Sequence, residues 1–187
     1  MNYLLRHSID DNTRKGGWSR AKLTKDGIKL AEEVAKKLKN FHFDRIICSD
    51  LVRAKETAKI INKELKLPIF YTDELREFNA GVVSGMKYDK ANKLYPVKVN
   101  DYKNLDFKYP KGETLGEFKS RVEDYYKNTI KNTDKTLFVT HRNTISVIYN
   151  YINKTEWNFN DKITIDISHC SLFKVSDRGR PKVDLNK

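Results

Sequence analysis

Arg6-His7 stands directly behind the apolar run Tyr3-Leu4-Leu5. A second histidine, His141, stands directly behind Leu137-Phe138-Val139-Thr140. A neutral imidazole nitrogen is a good nucleophile toward phosphorus, and a neighbouring guanidinium can grip phosphate oxygens through two parallel N–H bonds. Both apolar runs have the length and composition of strands. In open α/β sheets, ligands bind outside the carboxyl ends of parallel strands. If these runs are neighbouring parallel strands, both imidazoles meet at one site. Arg53 would join them. It falls in the first turn of a helix behind the strand-like run Arg45–Cys48, with Ser49 or Asp50 as the cap, and it would reach back over the same sheet edge. Two histidines and two arginines around one pocket make an anion site.

The elements that must position these residues alternate along the chain. Strand-like runs lie at Tyr3–His7, Arg45–Cys48, Thr136–Thr140 and Ser168–Val175, with a weaker one at Ile69–Tyr71. Val183–Leu185 is expected to close a hairpin on Ser168–Val175 through a turn at Asp177-Arg178-Gly179. Between the strands run four apolar stripes at helical spacing: Ile28, Ala31, Ala35, Leu38; Leu51, Ala54, Ala58, Ile61, Leu65; Leu115, Phe118, Val122, Tyr125, Thr129; and Ile145, Ile148, Tyr149, Ile152. The second stripe stops before Pro68, and the third opens on the capping box Thr114-x-x-Glu117. Strands alternating with helices imply a mostly parallel mixed sheet with helices on both faces, a three-layer α/β sandwich. Roughly 78–112 is different: glycines, prolines, tyrosines and lysines without a period. It is expected to form a flap holding one or two short helices. Tyr88, Tyr95, Tyr102 and Tyr109 in it suit either a pocket lining or packing beneath the flap.

Bulk properties narrow the field. A chain of 187 residues suits one domain spanning 1–187. No apolar stretch is long enough to cross a bilayer, and Arg6 and His7 interrupt any leader at once. Cys48 and Cys170 are too few for a disulfide framework, so both are expected reduced and structural, in a cytoplasmic setting. The net charge of +12 is mostly lysine spread along the chain, a solvated surface whose summed field favours anionic ligands. No nucleic-acid-binding motif accompanies it. His42 and His169 are read as structural histidines.

The whole pattern resembles the histidine phosphatase superfamily, in its phosphoglycerate-mutase-like branch. The family's Arg-His-Gly opening appears as Arg6-His7-Ser8, and its Leu-Thr-x-x-Gly as Leu23-Thr24-Lys25-Asp26-Gly27. Ser49, Leu51, Arg53, Ala54, Thr57 and Ala58 complete its next segment, and Glu77, Gly81 and Gly85 the one after. Tyr95-Pro96, Pro110-x-Gly112-Glu113-Thr114 and Val139-Thr140-His141 follow in order. The resemblance implies that His7 becomes phosphohistidine and that Arg6, Arg53 and His141 hold the phosphoryl group. It implies that Glu77 protonates the leaving oxygen and then serves as base for water. No metal or other cofactor is implied, because arginine and histidine supply the positive charge.

Three departures stand out. Ser8 and Arg142 each replace a glycine, the first adding a side chain near the phosphate, the second adding a substrate contact or crowding the site. The family's asparagine past the nucleophile falls at Thr13, with Asn12 beside it. The expectation is a metal-independent phosphomonoesterase acting on a small phosphorylated molecule or a phosphoprotein, with neither nucleic acid nor membrane as partner. A phosphoglycerate-type mutase is the alternative within the family, disfavoured because mutases carry a longer insertion. A catalytically weak phospho-ligand binding protein is the alternative outside it. Cys48 and Arg53 are one residue too close for the Cys-x5-Arg loop of cysteine phosphatases, and that reading leaves both histidines idle. His141-Arg142 in place of His-Asp argues against the acid-phosphatase branch.

Overall fold

The computed structural model describes residues 1–157, 159, 166–176, 182, 183 and 185. Its sheet follows the apolar runs: β1 (Tyr3–Arg6), β2 (Arg45–Ser49), β3 (Ile69–Thr72), β4 (Thr136–Thr140), β5 (Leu172–Lys174) and β6 (Lys182–Val183), in the order β3-β2-β4-β1-β5-β6. The first four strands are mutually parallel, and β5 and β6 run antiparallel to their neighbours. The hairpin expected at the chain's end is present as β5–β6, with Leu172 opposite Val183; its turn at 177–179 lies outside the described residues. Ser168–Val175 is shorter as a strand than its composition suggests. Residues 168–171 instead form a turn tied to β1, where the Cys170 amide donates to the Arg6 carbonyl (3.1 Å) and the Arg6 amide to the Ser171 carbonyl (3.1 Å).

Strand alternation sends side chains to two cores. Leu4, Phe138 and Phe173 face one, while Leu5, Leu137, Val139 and Leu172 face the other. Helices α1 (Lys25–Leu38) and α2 (Val52–Leu65) cover the second face through Val34, Ala35, Leu38, Ala54, Ala58 and Ile61. The first face is covered by Leu115, Phe118 and Val122 of α4 (Leu115–Asn128) and Ile145 and Ile148 of α5 (Arg142–Asn153). Burying each of the valines, leucines, isoleucines and phenylalanines among them fully contributes roughly 1.5–3 kcal/mol. Ile28 departs from its expected stripe. The buried side of α1 is Gly27, Ala31, Val34, Ala35 and Leu38, which leaves Ile28 42% exposed. The reason is close approach: a Cβ on Gly27 would stand 2.0 Å from the Ile9 carbonyl oxygen, so Gly27 must face the chain behind His7.

The ends of the helices also follow from sequence. Thr114 and Glu117 form the expected capping box on α4. α2 stops at Lys66 in the left-handed conformation (φ 55), two residues before Pro68. Neither Ser49 nor Asp50 caps α2 as expected. Leu51 holds that position without a side-chain bond, Ser49 turns to His141 and Asp50 pairs with Arg76.

Between β3 and α4 runs the flap, with α3 (Tyr88–Leu94) and two single-turn helices at Gly81–Val83 and Val99–Lys103. Its two ends are pressed together. Gly81 (φ 51) lies so near the chain at Pro110–Gly112 that a Cβ would be 2.1 Å from the Pro110 carbonyl oxygen. The Glu113 carboxylate closes the join, accepting from the Asn79 amide (2.7 Å) and pairing with Arg121 (2.9 Å).

Candidate active site

The β1–β4 register pairs Arg6 with Thr140, so the residues that follow each strand, His7 and His141, emerge side by side. Their ring centroids are 5.0 Å apart. The His7 amide donates to the Thr140 carbonyl (2.9 Å), carrying the pairing one residue past the strand. His7 Nδ1 lies 2.7 Å from the Ser8 carbonyl oxygen, which can only accept, so Nδ1 carries the proton. Nε2 is therefore the lone-pair nitrogen, and it accepts from Arg53 Nε at 3.2 Å. Burial and the nearby Arg53 and Arg6 charges hold both imidazoles well below the ordinary histidine range, so both are neutral.

The two arginines are anchored alike. Arg53 gives Nη2 to the Gly17 carbonyl (2.9 Å) and Nη1 to the Ser19 hydroxyl (3.4 Å). Arg6 gives Nη1 to the Ile167 carbonyl (2.7 Å) and Nη2 to His169 Nε2 (2.9 Å). The terminal nitrogens, expected to grip phosphate as a fork, thus hold each guanidinium in place. Among the described residues, two buried side-chain nitrogens have no hydrogen-bond partner, Arg6 Nε and His141 Nδ1. Orphaned buried groups of this kind are rare, and both sit on residues beside the nucleophile.

Glu77 is 8% exposed and is held from several sides. One carboxylate oxygen accepts from the Phe78 amide (2.8 Å), the other from the Asn143 amide (3.1 Å) in the first turn of α5. Trp18 Nε1 donates to the Glu77 carbonyl (2.8 Å), and the Arg76 guanidinium lies over the Trp18 ring at 4.3 Å. Thr144 and Arg121 donate to the Arg76 carbonyl. The positive end of the α5 dipole faces this carboxylate.

A cavity of about 300 Å³ opens over Arg6, His7, Arg53 and Glu77, with Arg142 at its edge. His141 does not line it; it is fully buried behind His7, with Nε2 2.8 Å from the Ser49 hydroxyl. A larger cavity, about 1050 Å³, lies at α4 and α5 beside Tyr126, Tyr151 and Trp157, and none of these chemical groups reaches it. Size alone therefore misplaces the site.

The departures resolve individually. Ser8 is fully buried, and its hydroxyl donates to the Gly27 carbonyl (2.6 Å), away from the cavity, so the expected side chain near the phosphate is absent. Arg142 is exposed as the first residue of α5 and does not crowd the histidines. Asn12 lines the cavity, whereas Thr13 turns its hydroxyl to Asp11 (2.6 Å).

Two residues escaped the sequence reading. His169, taken as structural, lies 5.5 Å ring to ring from His7 and accepts from Arg6. Asp10 lies between the two sides, 3.6 Å from Arg53 Nε and 3.8 Å from His169 Nε2. The short spacing from His7 was the available signal for Asp10. For His169 it was the position ahead of the last long strand. Together His7, Asp10 and His169 bring donor atoms within 4.8 Å of one another. Both imidazole Nε2 atoms there already accept from guanidinium N–H groups, and two adjacent positive charges repel a divalent cation. It is the guanidinium groups of Arg6 and Arg53, not these three residues, that suit an anion. His42 is exposed in the loop after α1. Cys48 and Cys170 are buried free thiols, as expected; burial raises both, Cys170 to about 11.

A family model described as the histidine phosphatase superfamily (branch 1) matches residues 2–187, and the chain belongs to that superfamily. An uncharacterised phosphatase of Bacillus subtilis, PhoE, is 37% identical over 100 residues, covering 54% of this chain and 47% of that protein, about half its length. A 2,3-bisphosphoglycerate-dependent phosphoglycerate mutase of Bradyrhizobium is 30% identical over 165 residues, 81% of this chain and 80% of that one. Among solved structures, the α-ribazole phosphatase of Shigella flexneri superposes with a TM-score of 0.77 at 21% identity, covering 92% and 88% of the two chains. That structure shares the three-layer α/β fold. No helix among the described residues is long and apolar enough to cross a membrane.

Proposed function

We propose that this protein is a metal-independent phosphomonoester phosphatase working through phosphohistidine on His7. The observation that carries this reading is the His7 ring itself. Its proton is fixed on Nδ1 by the Ser8 carbonyl, and its Nε2 lone pair is turned toward a buried guanidinium. The phosphoryl group enters between Arg53 Nε and His7 Nε2, replacing their contact. Arg6 Nε and His141, the latter once its ring turns from Ser49, supply further donors. Phosphoryl transfer asks for little more than such positioning and charge. Nε2 forms the bond to phosphorus as the ester P–O bond breaks, and the leaving oxygen takes a proton from the Glu77 carboxyl group. Water then attacks phosphorus, gives its proton to Glu77, and the P–N bond breaks to return neutral His7. The Asn143 and Phe78 amides receive the Glu77 carboxylate between these steps.

The mutase relative supports a second reading, in which the phosphoryl group passes to an acceptor hydroxyl rather than water. A mere phospho-ligand binder is less well supported, since neither Ser8 nor Arg142 obstructs His7. Acid quench with labelled p-nitrophenyl phosphate, chelator present, tests the reading. An acid-labile, base-stable phosphoenzyme is expected in the wild type and none in His7→Ala, with free phosphate as product. Near-normal turnover by His7→Ala would overturn it.

A further inference from the structure

The flap's contribution to the cavity is chemically uniform. It sends Phe78, Ala80, Tyr88, Tyr102 and Tyr109, so every contributor except Ala80 is aromatic. It supplies no amide, carboxylate or cationic side chain. Tyr102 and Tyr109 bond to each other through their hydroxyls (3.0 Å), which leaves little on this wall to replace water around a polyhydroxylated group. Phe159 extends the wall by stacking on Tyr102, with centroids 5.3 Å apart and planes 19° from parallel.

A cation meets this wall from the opposite segment. The Lys15 ammonium lies over the Tyr88 ring at 5.2 Å and the Tyr109 ring at 6.0 Å. Its backbone is locked to the flap, with the Lys15 amide donating to the Met86 carbonyl (2.9 Å) and the Gly85 amide to the Lys15 carbonyl (2.7 Å). A flat π-system placed among these groups gains ring–ring contact and the ammonium over its face. A saturated ring of the same size gains only buried area.

We propose that the group esterified to the phosphate is a planar aromatic or heteroaromatic ring on a short link, received by Tyr88, Tyr102, Tyr109 and Phe159 with Lys15 over its face. This rests on the phosphomonoesterase reading for the phosphate end and adds the class of the other end. The probes are benzylphosphonate and cyclohexylmethylphosphonate, with their one-carbon-longer homologues. They match in charge and size, differ in π character, and cannot be hydrolysed. Calorimetric titration of the full chain should show the aromatic member of a pair binding roughly 5- to 50-fold more tightly, the combined scale of ring–ring and cation–π contacts. Lys15→Met and Tyr88→Leu, both at partly exposed positions, should each shrink that ratio several-fold. Equal affinity within both pairs, no binding of either pair, or a ratio unchanged in both variants would overturn the proposal. Loss of p-nitrophenyl phosphate turnover bears on the phosphatase reading alone, because the phosphonate ratio is measured without catalysis.

Discussion

The cavity has two sides built on different principles. One side is the edge of the sheet: Arg6 and His7 at the end of β1, with the buried His141 behind them after β4, and Arg53 in the first turn of α2. Each is held by an element with a regular ladder, and their spacing follows from the pairing of Arg6 with Thr140. A slip of one residue would turn every side chain of β1 to the opposite face. The other side is made of loops, residues 10–19 and the flap, joined by the Arg14–Lys87 bridge and by the close approach of Gly17 to Ala80 and Ser84. Ring type and loop length can change there without disturbing strand register. Under the proposed function, reaction chemistry sits where geometry is hardest to alter, and recognition where it is easiest. Glu77 stands at the seam, on a loop pinned to the first turn of α5.

That seam offers the largest test. Glu77→Gln keeps the shape but cannot pass a proton, so turnover of glycerol phosphate should fall by about 100- to 10,000-fold. The loss on p-nitrophenyl phosphate, whose phenolate leaves unaided, should be far smaller. Equal losses on both esters in steady-state assays would make Glu77 a structural prop and move the seam to the loop side.

On the sheet side, Arg53→Ala should cost on the order of 100- to 1,000-fold in kcat/KM for either ester. Arg53→Lys should rescue little. One ammonium cannot bond Gly17 and Ser19 and still point at His7 as the planar guanidinium does. Substantial recovery in the lysine variant would show that charge alone suffices there.

Asp10 sharpens the contrast, because a loop residue intrudes on the clamp. Its carboxylate lies 3.6 Å from Arg53 Nε and, under the proposed function, would compete with phosphate for that guanidinium. Asp10→Asn should lower the inhibition constant of inorganic phosphate several-fold, about 1 kcal/mol, an effect that added salt diminishes. Weaker phosphate inhibition in this variant would mean that Asp10 holds Arg53 in place instead.

A separate effect is on stability rather than activity. His7 and His141 are held neutral well below the ordinary imidazole value of 6.5. As pH falls through that value the unfolded chain takes up protons and the native chain does not. Acid therefore favours unfolding, until the lowered native values are reached. Above that range the two histidines contribute no pH dependence. Denaturant melts should lose about 1.4 kcal/mol for each of these histidines per pH unit below about 6.5. His7→Gln should remove one such share of the slope. An identical slope in that variant would mean that His7 titrates normally in the folded chain.

The regular part of the fold was legible because it repeats. Short continuous apolar runs marked β1 to β4, and period-three-and-four stripes marked the long helices, with Thr114-x-x-Glu117 marking where α4 starts. Ile28 was misplaced because the close approach at Gly27, a contact with Ile9, rotates the buried face of α1. Ser49 was taken for a cap because its bond to His141, 92 residues away, leaves no local trace.

Sequence by itself marked His7, Arg53 and His141 as candidates at or just past strand ends, since their type and spacing are local facts, whereas Glu77 was marked only by its place in the family pattern. Only the tertiary structure decided that His169 joins them, that Asp10 lies against Arg53, that Ser8 turns away, and that His141 stands behind His7 rather than in the cavity. Only it separated Tyr88, Tyr102 and Tyr109, which line the cavity, from Tyr95, which packs against the core. The physical reason is the same in each case. Hydrogen-bond partners and ring neighbours are chosen by where distant segments cross, and a linear pattern holds no record of that crossing.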